Sequence, residues 1–299
     1  MSKWTAADIP DQTGRTVLIT GANSGLGLRS AEALASRGAR VLLACRNPQK
    51  AAEALEQVKA KATAAPPEVV PLDLADLDSV RAAAADVAGR VESLDVLMNN
   101  AGVMAVPHQK TPQGFELQLG TNHLGHFALT GLLLPQLRAA DAPRVITTSS
   151  QAHRTGRMRW DDLQWERRYE RWQAYGQSKL ANLLFMRELA TRAGASILSA
   201  AAHPGWSATH LQSGAGVAKR LSALGNHLFA QSDTMGALPQ LYAATMSDVV
   251  GGDYWGPDGI GEARGYPKRV GSTAAARNMA DARRLWDVSE RLTGVTFSF

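Results

Sequence analysis

The stretch Thr16-Val17-Leu18-Ile19-Thr20-Gly21-Ala22-Asn23-Ser24-Gly25-Leu26-Gly27 decides the fold. Thr16–Thr20 is a short, unbroken run rich in β-branched residues, the pattern of a strand covered on both faces. Glycines then punctuate a turn, and Leu26–Arg37 continues as an Ala- and Leu-rich helix. Glycine tolerates positive φ, and its missing Cβ lets a pyrophosphate approach the backbone. The helix N-terminus adds unpaired N–H groups and a positive dipole end. The spacing Gly-x-x-x-Gly-x-Gly differs from the general dinucleotide fingerprint, and no Gly-Lys-Ser/Thr follows to make a P-loop. A strand before and a helix after separate this turn from a merely structural one.

The same rhythm runs outward. Apolar runs recur at Arg40–Cys45, Glu68–Leu72, Leu94–Met98, Arg144–Thr148 and Ser196–Ala201, with helical stretches between them at Ala51–Ala62 and Leu77–Val91. Strand–helix alternation predicts an α/β fold, a doubly wound parallel β-sheet of Rossmann type in three α/β/α layers. Ligands then bind along the edge formed by the strand C-termini. No repeat or low-complexity linker interrupts residues 1–299, so a single dinucleotide-binding domain is expected. The run Gly251–Gly259 reads as a last strand and turn. Leu285, Trp286 and Leu292 read as a closing helix over the core or over a neighbouring subunit.

Bulk composition excludes several classes. With 45% hydrophobic and 20% charged residues, the chain is neither disordered nor fibrous. A formal charge of +5 and no run of lysines or arginines argue against a nucleic-acid role. Acidic residues dilute the most basic stretch, Arg154 to Arg171. One cysteine, Cys45, rules out an internal disulfide framework and suits a reducing compartment. MSKWTAADIP has no apolar signal core, and Phe127–Leu137 is too interrupted for a membrane span. A cytoplasmic location is expected.

At the end of the second strand, an NAD enzyme usually carries an acid for the ribose hydroxyls. Leu43-Ala44-Cys45-Arg46-Asn47 has none, and Arg46 stands close to its place. A guanidinium pairs with a 2′-phosphate, so NADP(H) is favoured over NAD(H). The plainer reading of Arg46 is a surface loop arginine.

With these residues in view, the chain resembles the short-chain dehydrogenase/reductase family from Gly14 to about Met235. The likeness rests on four ordered elements: Thr20-Gly21-x-x-x-Gly25-x-Gly27, Asn99-Asn100-Ala101-Gly102, Tyr175-x-x-x-Lys179 and Pro204-Gly205-x-x-x-Thr209. The resemblance implies an oxidoreductase that interconverts an alcohol and a carbonyl. It implies cofactor contacts from Gly21, Asn23, Ser24, Gly25, Leu26, Gly27, Arg46, Asp73, Leu74, Asn100, Ala101, Gly102, Tyr175, Lys179, Pro204, Gly205 and Thr209. Asp73 reads about equally well as a helix cap.

Tyr175 and Lys179 lie four apart, on one face at the start of a helical stretch. A free phenol titrates near ~10, and a nearby ammonium is expected to lower that value. Tyr175 is then the general acid or base. The resemblance assigns Ser150 to the substrate oxygen, with Ser149 as competitor, and makes Asn122 a support for Lys179 through water. An asparagine inside a helix otherwise needs explaining.

Ser150 and Tyr175 are 25 positions apart, about twice the separation in many relatives. The insert 153–174 is similar to that of retinol-dehydrogenase-like members. It brings Trp160, Trp165 and Trp172, and Trp206 follows Pro204-Gly205; these rings favour a hydrophobic substrate or serve as packing. Apolar spacing over 207–235, with Gly214 and Gly216, fits a lid or a partner helix of a homodimer or homotetramer. His123 and His126 lack further ligands at metal spacing, so packing is expected and a metal is not. The partner called for is a small-molecule carbonyl or alcohol. The alternative is a catalytically silent NAD(P)-binding regulatory protein on the same fold.

Overall fold

The computed structural model describes residues 3–205 and 232–299. Eight strands form one sheet among the described residues. They are β1 (Thr16–Thr20), β2 (Arg40–Cys45), β3 (Glu68–Pro71), β4 (Val96–Asn99), β5 (Arg144–Thr148), β6 (Leu198–Ala202), β7 (Tyr254–Pro257) and β8 (Pro267–Arg269). Their order is β3-β2-β1-β4-β5-β6-β7-β8. All neighbours pair in parallel except β7 and β8. The order reverses between β1 and β4, which opens a crevice at their C-terminal ends.

Helices cover both faces. The main ones are α1 (Gly25–Ala35), α2 (Pro48–Lys59), α3 (Leu77–Arg90), α4 (Gly125–Leu132), α5 (Arg171–Ala193), α6 (Asp233–Thr245) and α7 (Met279–Thr293). Strand periodicity sorts the core: Val17 and Ile19 pack with α1, α2 and α6, whereas Leu18 faces α3, α4 and α5. All five residues of β1 are buried, as the unbroken apolar run requires.

Element boundaries shift by a few residues from those expected, within the drift of frayed ends. Helix α5 starts eight residues before Lys179, because Glu170 caps it by accepting from the Trp172 and Gln173 amides. Strand β8 is an addition: a short antiparallel edge carrying Pro267, Lys268 and Arg269. Helix α7 covers this chain's own core. Trp286 is 1% exposed, 4.5 Å from the Phe297 ring and 5.1 Å from Phe127. No helix among the described residues is long and apolar enough to cross a membrane.

Candidate active site

The glycine turn lies between β1 and α1, at the crevice. Gly21 and Gly25 hold φ of 67° and 52°, values that a side chain would strain. A Cβ on Gly27 would sit 2.4 Å from the Gly21 carbonyl oxygen, so only glycine closes this turn. Ser24 occupies the N-cap position of α1 yet makes no side-chain capping bond. The first amides of the helix therefore lack a side-chain cap and offer a site for an anion.

The Asn-Asn-Ala-Gly segment is tied to this turn through Thr20. Its hydroxyl accepts from the Asn100 and Ala101 amides, each at 2.9 Å, while Asn100 Nδ2 donates to the Thr20 carbonyl. His126 Nδ1 bonds the Asn122 carbonyl, so that nitrogen carries the proton; Thr20 then donates to Nε2 at 2.8 Å. Burial depresses His126 to about 4 and His123 to about 3. Both histidines are neutral packing residues, and no group of potential metal ligands occurs among the described residues.

One cleft gathers the expected dinucleotide residues. Gly21, Asn23, Ser24, Gly25, Leu26 and Gly27 line it with Arg46, Asp73, Leu74, Asn100, Ala101 and Gly102. Asn100 Oδ1 and Thr121 Oγ1, on the same lining, are buried without a hydrogen-bond partner among the described residues. A cradle only glycine closes, uncapped helix amides and unpaired polar atoms together fit a pyrophosphate with its riboses. Arg46 is 70% exposed and reaches Asp73 at 3.8 Å. Asp73 is not the helix cap: Asp76 caps α3, and Asp73 instead accepts from the Ala75 amide. Lys50, in the first turn of α2, also lines the cleft. It was missed, because a lone lysine in the first turn of a surface helix carries no local signal for a cofactor.

A second cavity continues the first, sharing Leu26, Asn100, Gly102 and Val103 with it. It brings Ser149, Ser150, Tyr175, Lys179, Pro204 and Gly205 together. Ser150 follows β5 and caps a short turn, accepting from the Ala152 amide at 3.2 Å. Ser149 donates its hydroxyl to the Lys179 carbonyl at 2.9 Å, which leaves Ser150 as the better-placed serine. Lys179 Nζ donates to the Thr148 carbonyl at 3.1 Å and stands 5.8 Å from the Tyr175 ring centre.

The titration of the pair departs from expectation. Burial pushes the Tyr175 phenol up to about 12, and a hydrogen bond from Ser150 only partly opposes it. Burial also draws Lys179 down to about 8. Desolvation therefore outweighs any acidifying pull of the ammonium in the resting site.

Asn122 lies in a wide helical turn, Gly120–Leu124. Its amide donates to the Val103 carbonyl and the Ser178 hydroxyl, both at 2.9 Å, and its oxygen accepts from the Val103 amide. These bonds account for a polar residue within a helix. Asn122 makes no direct bond to Lys179, but both approach Gly102, where a Cβ would lie 3.0 Å from Asn122 Oδ1 and 3.4 Å from Lys179 Nζ.

The insert's tryptophans divide. Trp165 is buried beneath Arg159, Trp160 stacks on Arg284, and Trp172 lines the second cavity at 50% exposure. Met104, Gln151, Gly261 and Ala263 are cavity residues that sequence reading missed. Trp206, Thr209 and the lid expected over 207–235 lie outside the described residues, apart from the last four, which open α6.

This geometry is that of an NAD(P)-dependent dehydrogenase/reductase acting on an alcohol or a carbonyl, and the chain belongs to the short chain dehydrogenase family, whose model matches residues 15–220. Within it the chain is retinol-dehydrogenase-like. It is 41% identical to retinol dehydrogenase 12 of Mus musculus, over 94% of this chain and 87% of that protein. It is 40% identical to retinol dehydrogenase 13 of Homo sapiens, over 94% and 85%. The crystal structure of an uncharacterized protein from Mycobacterium paratuberculosis matches it with 44% identity and a TM-score of 0.81, over the full length of both chains.

Proposed function

We propose that this protein uses NADP(H) to interconvert a hydrophobic alcohol and its carbonyl, with Tyr175 as general acid and base. The observation that carries this reading is the meeting of Ser150, Tyr175 and Lys179 in one cavity that continues the glycine-turn cleft. The nicotinamide, when bound, supplies or accepts the hydride. Ser150 bonds the substrate oxygen and stabilises developing alkoxide charge. Tyr175 gives that oxygen a proton during reduction and takes it back during oxidation. Lys179 balances the phenolate so formed, and Asn122 keeps the Gly102-Val103 segment beside Lys179 in place.

Arg46 and Lys50 supply the positive charge that favours a 2′-phosphate. A hydrophobic substrate is supported by Leu26, Val103, Met104, Trp172 and Ala263 on the cavity wall. The retinol dehydrogenases it resembles are named for an alcohol that is itself apolar. Tyr175→Phe should abolish NADPH oxidation across aldehydes of increasing chain length while NADPH affinity stays within a few-fold. Unchanged turnover in that variant would refute the reading.

A further inference from the structure

Glu262 lies between the cavity residues Gly261 and Ala263, in a turn of unusual backbone. It holds a φ of 56°, directly after Gly261 at 61°. Glutamate rarely adopts this left-handed conformation, which persists only where surrounding contacts over-determine it, most often at functional sites. Three side chains reach its carboxylate. Gln151 Nε2 donates to Glu262 Oε2 at 2.7 Å, Arg154 Nη2 to Oε1 at 3.0 Å, and His203 Nε2 lies 3.1 Å from Oε2.

Gln151 and Arg154 share the short turn that Ser150 caps, whereas His203 follows β6. Gln151 follows Ser150 directly and lines the cavity itself; Gly261 and Ala263, which flank Glu262, line it too. His203 leads to a second turn. Its Nδ1 accepts from the Gly205 amide at 3.2 Å, so the ring proton sits on Nε2 and points to Glu262. Gly205 holds a φ of 68°, and a Cβ there would lie 2.4 Å from the Ala263 carbonyl oxygen. The ring itself is 0% exposed and packs so closely on β7 that a Cβ on Gly256 would collide with Nε2. The His203 and Gln151 bonds hold the Glu262 carboxyl down at about 2, so it remains an acceptor across neutral pH.

We propose that Glu262 is a positioning residue for hydride transfer: its carboxylate bonds Gln151 and His203 together, and so fixes the Ser150 turn and the Pro204-Gly205 turn at one separation. The inference rests on the catalytic reading of Ser150 and Tyr175. On that reading Ser150 orients the reacting oxygen, and Pro204-Gly205 lines the same cavity. Slack between those turns lengthens the transfer path without removing any group that binds phosphate or ribose. Arg154, exposed by about half, braces the carboxylate from the rim.

The test compares wild type, Glu262→Ala, Glu262→Gln and Tyr175→Phe in the same NADPH-dependent aldehyde reduction. Thermal stability and NADPH affinity are measured alongside. In Glu262→Ala, kcat should fall roughly ten- to hundred-fold, as expected when reacting groups lose alignment. NADPH affinity should stay within about two-fold, and the deuterium isotope effect with 4-deuterated NADPH should rise as transfer becomes rate-limiting. Glu262→Gln keeps the side-chain shape and one acceptor oxygen, so it should recover part of kcat. The clamp is overturned if kcat of Glu262→Ala is unchanged, or if Glu262→Gln loses as much as Glu262→Ala. It is also overturned if the loss follows melting temperature and disappears on cooling. Should Tyr175→Phe keep full turnover, the catalytic reading fails and the clamp with it; loss in Tyr175→Phe alone refutes only the clamp.

Discussion

Replacing Arg46 with alanine tests the cofactor preference most directly. Its guanidinium is 70% exposed and has one described ionic partner, Asp73, at 3.8 Å. A hydrogen bond to a charged group contributes about 1.5–3 kcal/mol. Exposure draws that toward the lower end, because solvent and salt screen an ion pair at the surface. Binding a 2′-phosphate also gives up the Asp73 contact, worth at most about 1 kcal/mol at this exposure. The net contribution is then about 1–2 kcal/mol, or roughly 5- to 30-fold in affinity. Arg46→Ala should weaken NADPH by that factor and leave NADH nearly unchanged. Titration of both cofactors, repeated at rising ionic strength, should show the gap between them narrowing. Equal weakening of both cofactors, or no weakening of NADPH, would refute the assignment of Arg46 to the phosphate.

Two further outcomes follow from burial. Trp286→Ala should destabilise the protein by about 3–5 kcal/mol, read from denaturant unfolding, because it removes a ring packed among Phe127, Phe185 and Phe297. A loss below about 1 kcal/mol would mean that α7 does not seal this chain's core. Lys179→Met should end turnover yet raise stability at pH 7 by up to roughly 3 kcal/mol, since the buried amine titrates at about 8 against 10.5 in the open chain. The unfolded chain binds the extra proton between those values, so wild-type stability rises with pH through that window and the advantage of the variant fades. Thr148 keeps a donor in the variant, because Asn182 Nδ2 also bonds its carbonyl. Parallel stability–pH curves for the two proteins would contradict this reasoning.

The sheet was legible because its inner strands are buried on both faces and spell unbroken apolar runs. Where that signal stops, reading stopped too. Strand β8, with Pro267, Lys268 and Arg269, has an exposed outer side and no apolar pattern to announce it. The glycine turn and the Tyr175–Lys179 pair were legible because backbone geometry and helical spacing restrict which residues can stand there. Tertiary events were not. Nothing local marks Trp172 as the insert's cavity ring and Trp165 as its buried one. Glu262 is 112 positions from Ser150, and its left-handed backbone contradicts its residue type. Such a conformation follows from bonds to Gln151, Arg154 and His203, which only the folded chain assembles.

The titration of Tyr175 and Lys179 changes how the pair is understood. Sequence spacing invites the view that the ammonium makes the phenol acidic at rest. Burial reverses this, holding Tyr175 near 12 and Lys179 near 8. A phenol that stays protonated at neutral pH is the form required to donate a proton to a carbonyl oxygen. Once that proton leaves, a phenolate and an ammonium share a pocket that disfavours either charge alone, and each neutralises the other. On the proposed mechanism, then, Lys179 contributes little before the reaction and most as charge develops on Tyr175. An interaction that strengthens along the reaction lowers the barrier, whereas one already complete at rest would only tighten binding.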